Sequence, residues 1–242
     1  MAILTDALLT NLFDEPVHPL AQPMATWLAS SRRFGAFVTT NRDKIRKKLR
    51  AQQDMESLLD VRLELETAYL LLQEKSLSLV YEPQHIGKVR GPDFAVTFTT
   101  SLTFMIEVTR LRAGSNNTSP IGDRLVDAMG DKLGQLQPQR SNVLLVGVSG
   151  VETSHLTHSD LSAAMVRAQQ RAERSKAAFL QRHHLRDRAD FFQHYQRLSE
   201  VLVRRLDAPP EPLVVWINPQ AKQPLPSKVR TALYRSQNQD RS

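Results

Sequence analysis

The segment GPDFAVTFTTSLTFMIEVTRL, residues 91–111, can bury one face and wet the other only by folding back on itself as a β-hairpin. With the turn centred on Thr100, antiparallel partners sum to 200, and Asp93 stands opposite Glu107. Strand side chains alternate between faces. Phe94, Val96, Phe98, Leu102, Phe104, Ile106 and Val108 then share one wholly apolar face. Asp93, Ala95, Thr97, Thr99, Ser101, Thr103, Met105, Glu107 and Thr109 share the other. The two carboxylates are brought to about 5 Å between Cβ atoms. Like charges so placed repel, and a divalent cation turns that repulsion into binding. Hard oxygen donors suit magnesium.

The rest of the chain supplies the layers around this hairpin. Asn41 is a candidate N-cap for a helix running through IRKKLRAQQDMESLL. A second helix, about 57–75, sets Leu58, Val61, Leu65, Ala68 and Leu72 at helical spacing. SLSLVYEP alternates like a strand and stops at Pro83. Loops are expected over 84–92 and 112–120, and a helix over about 121–136. NVLLVGVS and PLVVWIN read as strands buried on both faces. Helices are expected over 159–180 and 188–205, and a short one at 227–235. The class is α/β, a mixed central sheet flanked by helices. Three parts follow: an N-terminal helical extension with a basic segment (1–56), the α/β core with long C-terminal helices over 159–205 (57–220), and a tail with a short helix (221–242).

Composition narrows the chemistry. The absence of cysteine removes disulfides, thiol nucleophiles, thiolate zinc sites and iron–sulfur clusters together. The N-terminus lacks a basic leader, and no apolar run reaches the roughly 20 residues of a membrane span. A cytoplasmic protein with no membrane partner is expected. The net charge of +7 favours a polyanionic partner. Residues 32–50 hold eight Lys or Arg against one acid, Asp43, while residues 54–82 hold seven acids against two bases. An acidic island in a basic chain is what a metal site on a nucleic-acid enzyme requires.

On these pieces the sequence resembles the PD-(D/E)XK nuclease superfamily. A helix bearing glutamate (LELETAYLL) precedes a strand (LSLVYEP). Pro92-Asp93 then opens the hairpin and Glu107-Val108-Thr109 closes it. A helix with Lys132 and Gln135 leads to the buried strand NVLLVGVS. The likeness spans about residues 57–149 and implies a restriction-endonuclease-like fold. It departs at one position: the family's third motif residue is usually lysine, and here it is Thr109. Arg110 has the wrong parity to replace it. In some members the following helix supplies the lysine, which makes Lys132 the candidate.

Glu64 and Glu66 compete for the first-helix acid. Glu64 lies on the line of Ala68 and Leu71, and Glu66 about 200° around the helix from it. The family's E-L-x-x-A arrangement matches Glu64-Leu65-Glu66-Thr67-Ala68, which favours Glu64 and leaves Glu66 as the alternative. The resemblance implies a catalytic set of Glu64, Asp93, Glu107, Lys132 and Gln135. Asp93, Glu107 and the Val108 carbonyl would hold Mg²⁺ or Mn²⁺. Arg46, Lys47, Lys48 and Arg50 would contact nucleic acid, with DNA or RNA undetermined. The expected activity is metal-dependent phosphodiester hydrolysis. The alternative is an inactive nuclease-fold module that binds nucleic acid or protein, for which Thr109 gives a reason. Oligomeric state stays open, a homodimer included.

Overall fold

The structure is a computed structural model that describes residues 2–13, 18–83, 91–112, 119–149, 156–174, 177–206 and 212–238. The loops expected over 84–92 and 112–120 lie largely outside the described residues. Four helices come first: α1 (Ala2–Leu12), α2 (Ala21–Ser30), α3 (Arg32–Thr40) and α4 (Arg42–Arg50). Next come α5 (Met55–Gln73), β1 (Leu77–Tyr81), β2 (Phe94–Phe98), β3 (Leu102–Leu111), α6 (Ile121–Leu133) and β4 (Asn142–Val148). The chain then forms α7 (His158–Glu173), α8 (Ala177–Arg182), α9 (Arg188–Tyr195), β5 (Leu198–Arg205), β6 (Val214–Ile217) and α10 (Ser227–Gln237).

The six strands form one sheet in sequence order. β1–β2, β2–β3 and β5–β6 are antiparallel, and β3–β4 and β4–β5 are parallel, so the sheet is mixed as expected. The hairpin has the expected register, from Phe94 opposite Ile106 to Phe98 opposite Leu102. Its apolar face does what the parity required: Phe94, Val96, Phe104, Ile106 and Val108 are buried in one core with Leu58, Val61, Leu65, Ala68 and Leu72 of α5. The N-terminal helices and α10 join that core through residues such as Phe34, Ile45, Val229 and Leu233. A second core covers the opposite sheet face, where α6, α7, α8 and α9 pack on alternate residues of β4 and β5. Among the described residues no helix is long and apolar enough to cross a membrane.

Three expectations need correction. Residues 198–205 are a strand inside the sheet, not the end of a helix; only Arg188–Tyr195 is helical there. The polar residues of LSEVLVRR broke the apolar run that marks a doubly buried strand. In the fold they are paired. Glu200 accepts from Arg230 Nε at 2.6 Å and from the Tyr234 hydroxyl at 2.7 Å, and Arg204 donates to Gln237 at 3.0 Å. The pairing partners lie on α10, remote in sequence, so the segment alone could not disclose them. β6 is likewise an edge strand, and only Trp216 within it is buried. Finally, the helix expected from Asn41 onward is broken. Asp54 adopts an extended backbone and its carboxylate accepts the Ser57 N–H at 2.7 Å, which starts α5 afresh. That cap is worth about 1 kcal/mol.

Candidate active site

β3 outruns β2. The last β2–β3 pair is Phe94 with Ile106, yet β3 continues through residues 107–111, paired on its other side with β4. Among the described residues this leaves a notch in the sheet beside the carboxyl half of β3. Asp93 fills part of it: its Oδ2 accepts the Val108 N–H at 2.8 Å, so a side chain holds this end of β3 where a strand backbone stops. Asp93 precedes the last β2–β3 pair, Phe94 with Ile106, and Glu107 follows it on β3. Both are buried.

A polar cavity of about 310 Å³ opens at the notch, lined among others by Lys48, Glu64, Asp93, Val108, Thr109 and Lys132. α5 brings Glu64 to it. Glu66 lies elsewhere, 3.5 Å from Arg204 and beside a separate cavity, so of the two glutamates Glu64 is at the notch. Glu107 has the parity of the sheet face that α6 covers, and Lys132 in the last turn of α6 places Nζ 2.5 Å from Glu107 Oε1. Arg110, of opposite parity, turns to α5 and binds Glu56 at 2.6 Å and Asp60 at 3.0 Å. It is committed to holding α5 on β3. Thr109 lines the cavity with no cation of its own.

Two expected site residues are not where the sequence put them. Gln135 follows the end of α6 and is not among the residues lining the cavity. The sequence put Gln135 and Lys132 on one helix over about 121–136, and α6 stops at Leu133. Lys48 is not a solvent-facing nucleic-acid contact. α4 buries Ile45 and Leu49, and this turns Lys48 inward, where Nζ lies 2.6 Å from both Glu64 oxygens and 3.2 Å from Glu82 Oε1. In the basic run it could not be told from Lys47 and Arg50, which are exposed; Arg46 is half-buried. The apolar spacing of Ile45 and Leu49 was the available signal.

The electrostatics follow from the burial. Desolvation pushes the Glu64 carboxyl up and the charge of Asp93 pushes it further; Lys48 opposes both, and the result is about 7. Burial pulls the Lys48 ammonium down, but Glu64, Asp93 and Glu82 outweigh it and hold it above its ordinary value, so Lys48 stays charged. Tyr81, raised by burial and then by Glu64, keeps its phenolic proton. Among the described residues no three His, Asp or Glu side chains stand together as a ready-made cation cage. The acids at the notch are instead held apart and paired, Glu64 with Lys48 and Glu107 with Lys132.

Glu64 gives a pH prediction. Its folded value, about 7, exceeds the ordinary 4.5, so the folded state binds the proton more tightly than the unfolded state does. The stability it contributes is fully present below about pH 4.5 and is lost as pH rises through about 7, on the order of 3 kcal/mol in all. His194 works oppositely: burial and then Arg197 lower it, so it destabilises the fold as pH falls below its ordinary value. The readout is therefore the stability difference between wild type and Glu64→Gln, measured by denaturant unfolding at each pH. That difference should fall from pH 4.5 to 7; a flat difference would remove the shift.

No protein family, curated protein or solved structure matches this chain.

Proposed function

We propose that the chain is a metal-dependent nuclease-like enzyme that hydrolyses nucleic-acid phosphodiester bonds on a restriction-endonuclease-like fold. The reading rests on the PD-(D/E)XK likeness, and one observation carries it. With Thr109 in the motif position, a lysine from the next helix was required, and Lys132 Nζ lies 2.5 Å from Glu107, on the cavity that Glu64 and Asp93 also line. Four segments separated in sequence thus converge on one polar notch.

The donor set is of the kind a hard divalent ion takes: carboxylates of Asp93 and Glu107 with the Val108 carbonyl would hold Mg²⁺ or Mn²⁺, and Glu64 would act on it directly or through a water. Bound there, the ion would lower the pKa of water and neutralise charge building on the phosphate. The side chains have separate tasks. Lys132, fixed by Glu107, is placed to orient the attacking water and donate to phosphate oxygens. Glu64, whose carboxyl burial and the charge of Asp93 hold above its ordinary value in the metal-free chain, would give up its proton on acting as a ligand to the ion. Arg110 and Arg112 also line the cavity, each paired with Asp60.

The outer face of α4 is the candidate for the nucleic-acid backbone. Neutralising Arg46, Lys47 and Arg50 should weaken binding and flatten its salt dependence by roughly one unit of log–log slope per lost phosphate contact. An unchanged slope would assign this face to solubility.

The inactive-module reading has its own support: Thr109 lacks the motif amine, and two lysines already neutralise two of the acids. The deciding experiment is cleavage of mixed DNA and RNA substrates in Mg²⁺, Mn²⁺ and EDTA. Cleavage with either ion and none in EDTA is expected. Robust cleavage in EDTA overturns the metal mechanism, and tight binding with no cleavage of any substrate favours the inactive module.

A further inference from the structure

We propose that Lys48 is a built-in counter-cation of the acidic notch, which holds Glu64 when no divalent ion is bound and shifts onto Glu82 when one is. This rests on the metal-dependent reading above. Glu64 and Asp93 line the notch with two ammonium groups, Lys48 and Lys132, and Lys132 reaches past the lining to Glu107. The cluster is nearly compensated by the chain's own charges, so an added divalent ion competes with an ammonium. The two lysines are not equivalent. Lys48 already has a second acceptor in reach: its Nζ sits 2.6 Å from Glu64 and 3.2 Å from Glu82.

Burial orders these two acceptors. The Glu64 side chain is 8% exposed and the Glu82 side chain 42%, so movement of the ammonium from one to the other is movement toward solvent. The backbone at both ends is fixed. Ile45 and Leu49 bury α4 on either side of Lys48, and the Glu82 N–H binds the Asp93 carbonyl at 2.8 Å. Only the flexible lysine stem needs to turn, over the Tyr81 ring that lies 5.5 Å beneath its ammonium. Competition is reciprocal: what the ion loses by displacing Lys48, Lys48 loses by the ion's arrival.

The test is calorimetric titration of Mg²⁺ and Mn²⁺ into metal-free wild type, Lys48→Met, Glu82→Gln and the double variant. It is run at about pH 8.5, where Glu64 has lost its proton. Lys48→Met should tighten ion binding about tenfold, because the competitor is gone. Glu82→Gln should weaken it about fivefold, because the displaced ammonium has lost its second acceptor. In the Lys48→Met background Glu82→Gln should have no further effect, which separates displacement from the mere loss of a nearby negative charge. Lys48→Gln, which keeps a donor for Glu64, carries the same expectation should Lys48→Met not fold. Equal or weaker binding by the Lys48 variants, or the same Glu82 effect in both backgrounds, overturns the proposal. Wild-type binding that Asp93→Asn removes, with Lys48→Met unchanged, sinks this inference alone. Failure of wild type and Lys48→Met alike to bind either ion sinks the metal reading with it.

Discussion

Asp93→Asn should abolish cleavage and leave the fold intact. The change removes one charged ligand from the proposed ion site. Metal-based stabilisation of the transition state is worth several kcal/mol, so the rate should fall on the order of 10³-fold or more. Stability should behave differently. The Asp93 carboxylate accepts the Val108 N–H at 2.8 Å, and an asparagine carbonyl can accept the same bond. Asp93 also repels Glu64, and its charge is the second cause of the raised Glu64 value. Neutralising it relieves that repulsion, so unfolding free energy should stay within about 0.5 kcal/mol of wild type or rise. Glu107→Gln should lose activity equally but also lose stability, because it breaks the 2.5 Å pair with Lys132. Single-turnover cleavage and denaturant unfolding on the same preparations read both effects. Wild-type cleavage by Asp93→Asn would remove the metal site; loss of activity through unfolding would make Asp93 a structural residue only.

This asymmetry between two carboxylates was not legible in the sequence, which treated them as an equivalent facing pair. What the sequence did carry was period-2 information. Residues 94–108 alternate so regularly that one turn position set the register, which the ladder reproduces pair by pair. The same alternation put Arg110 on the α5 face, where it binds Glu56 and Asp60. Helical spacing separated Glu64 from Glu66 for a like reason. Failures came where partners are remote. Ser199, Glu200 and Arg204 hid β5 because α10, which pairs Glu200 and Arg204, lies beyond it in the chain. Lys48 was hidden among identical charges, and only its inward turn shows that the basic segment contributes to the acidic cavity as well as to the surface. A charge run records composition along the chain; burial, which decides what each charge does, is set by the elements packed on it.

Lys132→Met is the complementary test, since it separates the role of the lysine in the fold from its role in the chemistry. The Lys132 side chain is 15% exposed and that of its partner Glu107 1%, so the pair is largely desolvated. Removing the ammonium leaves Glu107 buried without it, and breaking such a pair destabilises by roughly 3 kcal/mol. Cleavage should fall by about 10²–10⁴-fold if the amine orients or deprotonates the attacking water. Stability alone cannot account for such a loss in protein shown to be folded at the assay temperature. Lys132→Arg keeps the charge but replaces a compact ammonium with a planar guanidinium of different reach and donor geometry. It should restore stability more than activity. The sharper readout is relocation. Thr109 lines the same cavity and, on the proposed nuclease reading, stands where a motif lysine is expected. Thr109→Lys added to Lys132→Met should recover at least about tenfold of the lost rate, because what matters is an ammonium at hydrogen-bond reach of the reacting groups, not the element that delivers it. Recovery of rate without recovery of unfolding free energy would assign the amine to chemistry. Recovery of stability alone, or full activity in Lys132→Met itself, would leave Lys132 as the structural partner of Glu107 and return the notch to the inactive-module reading.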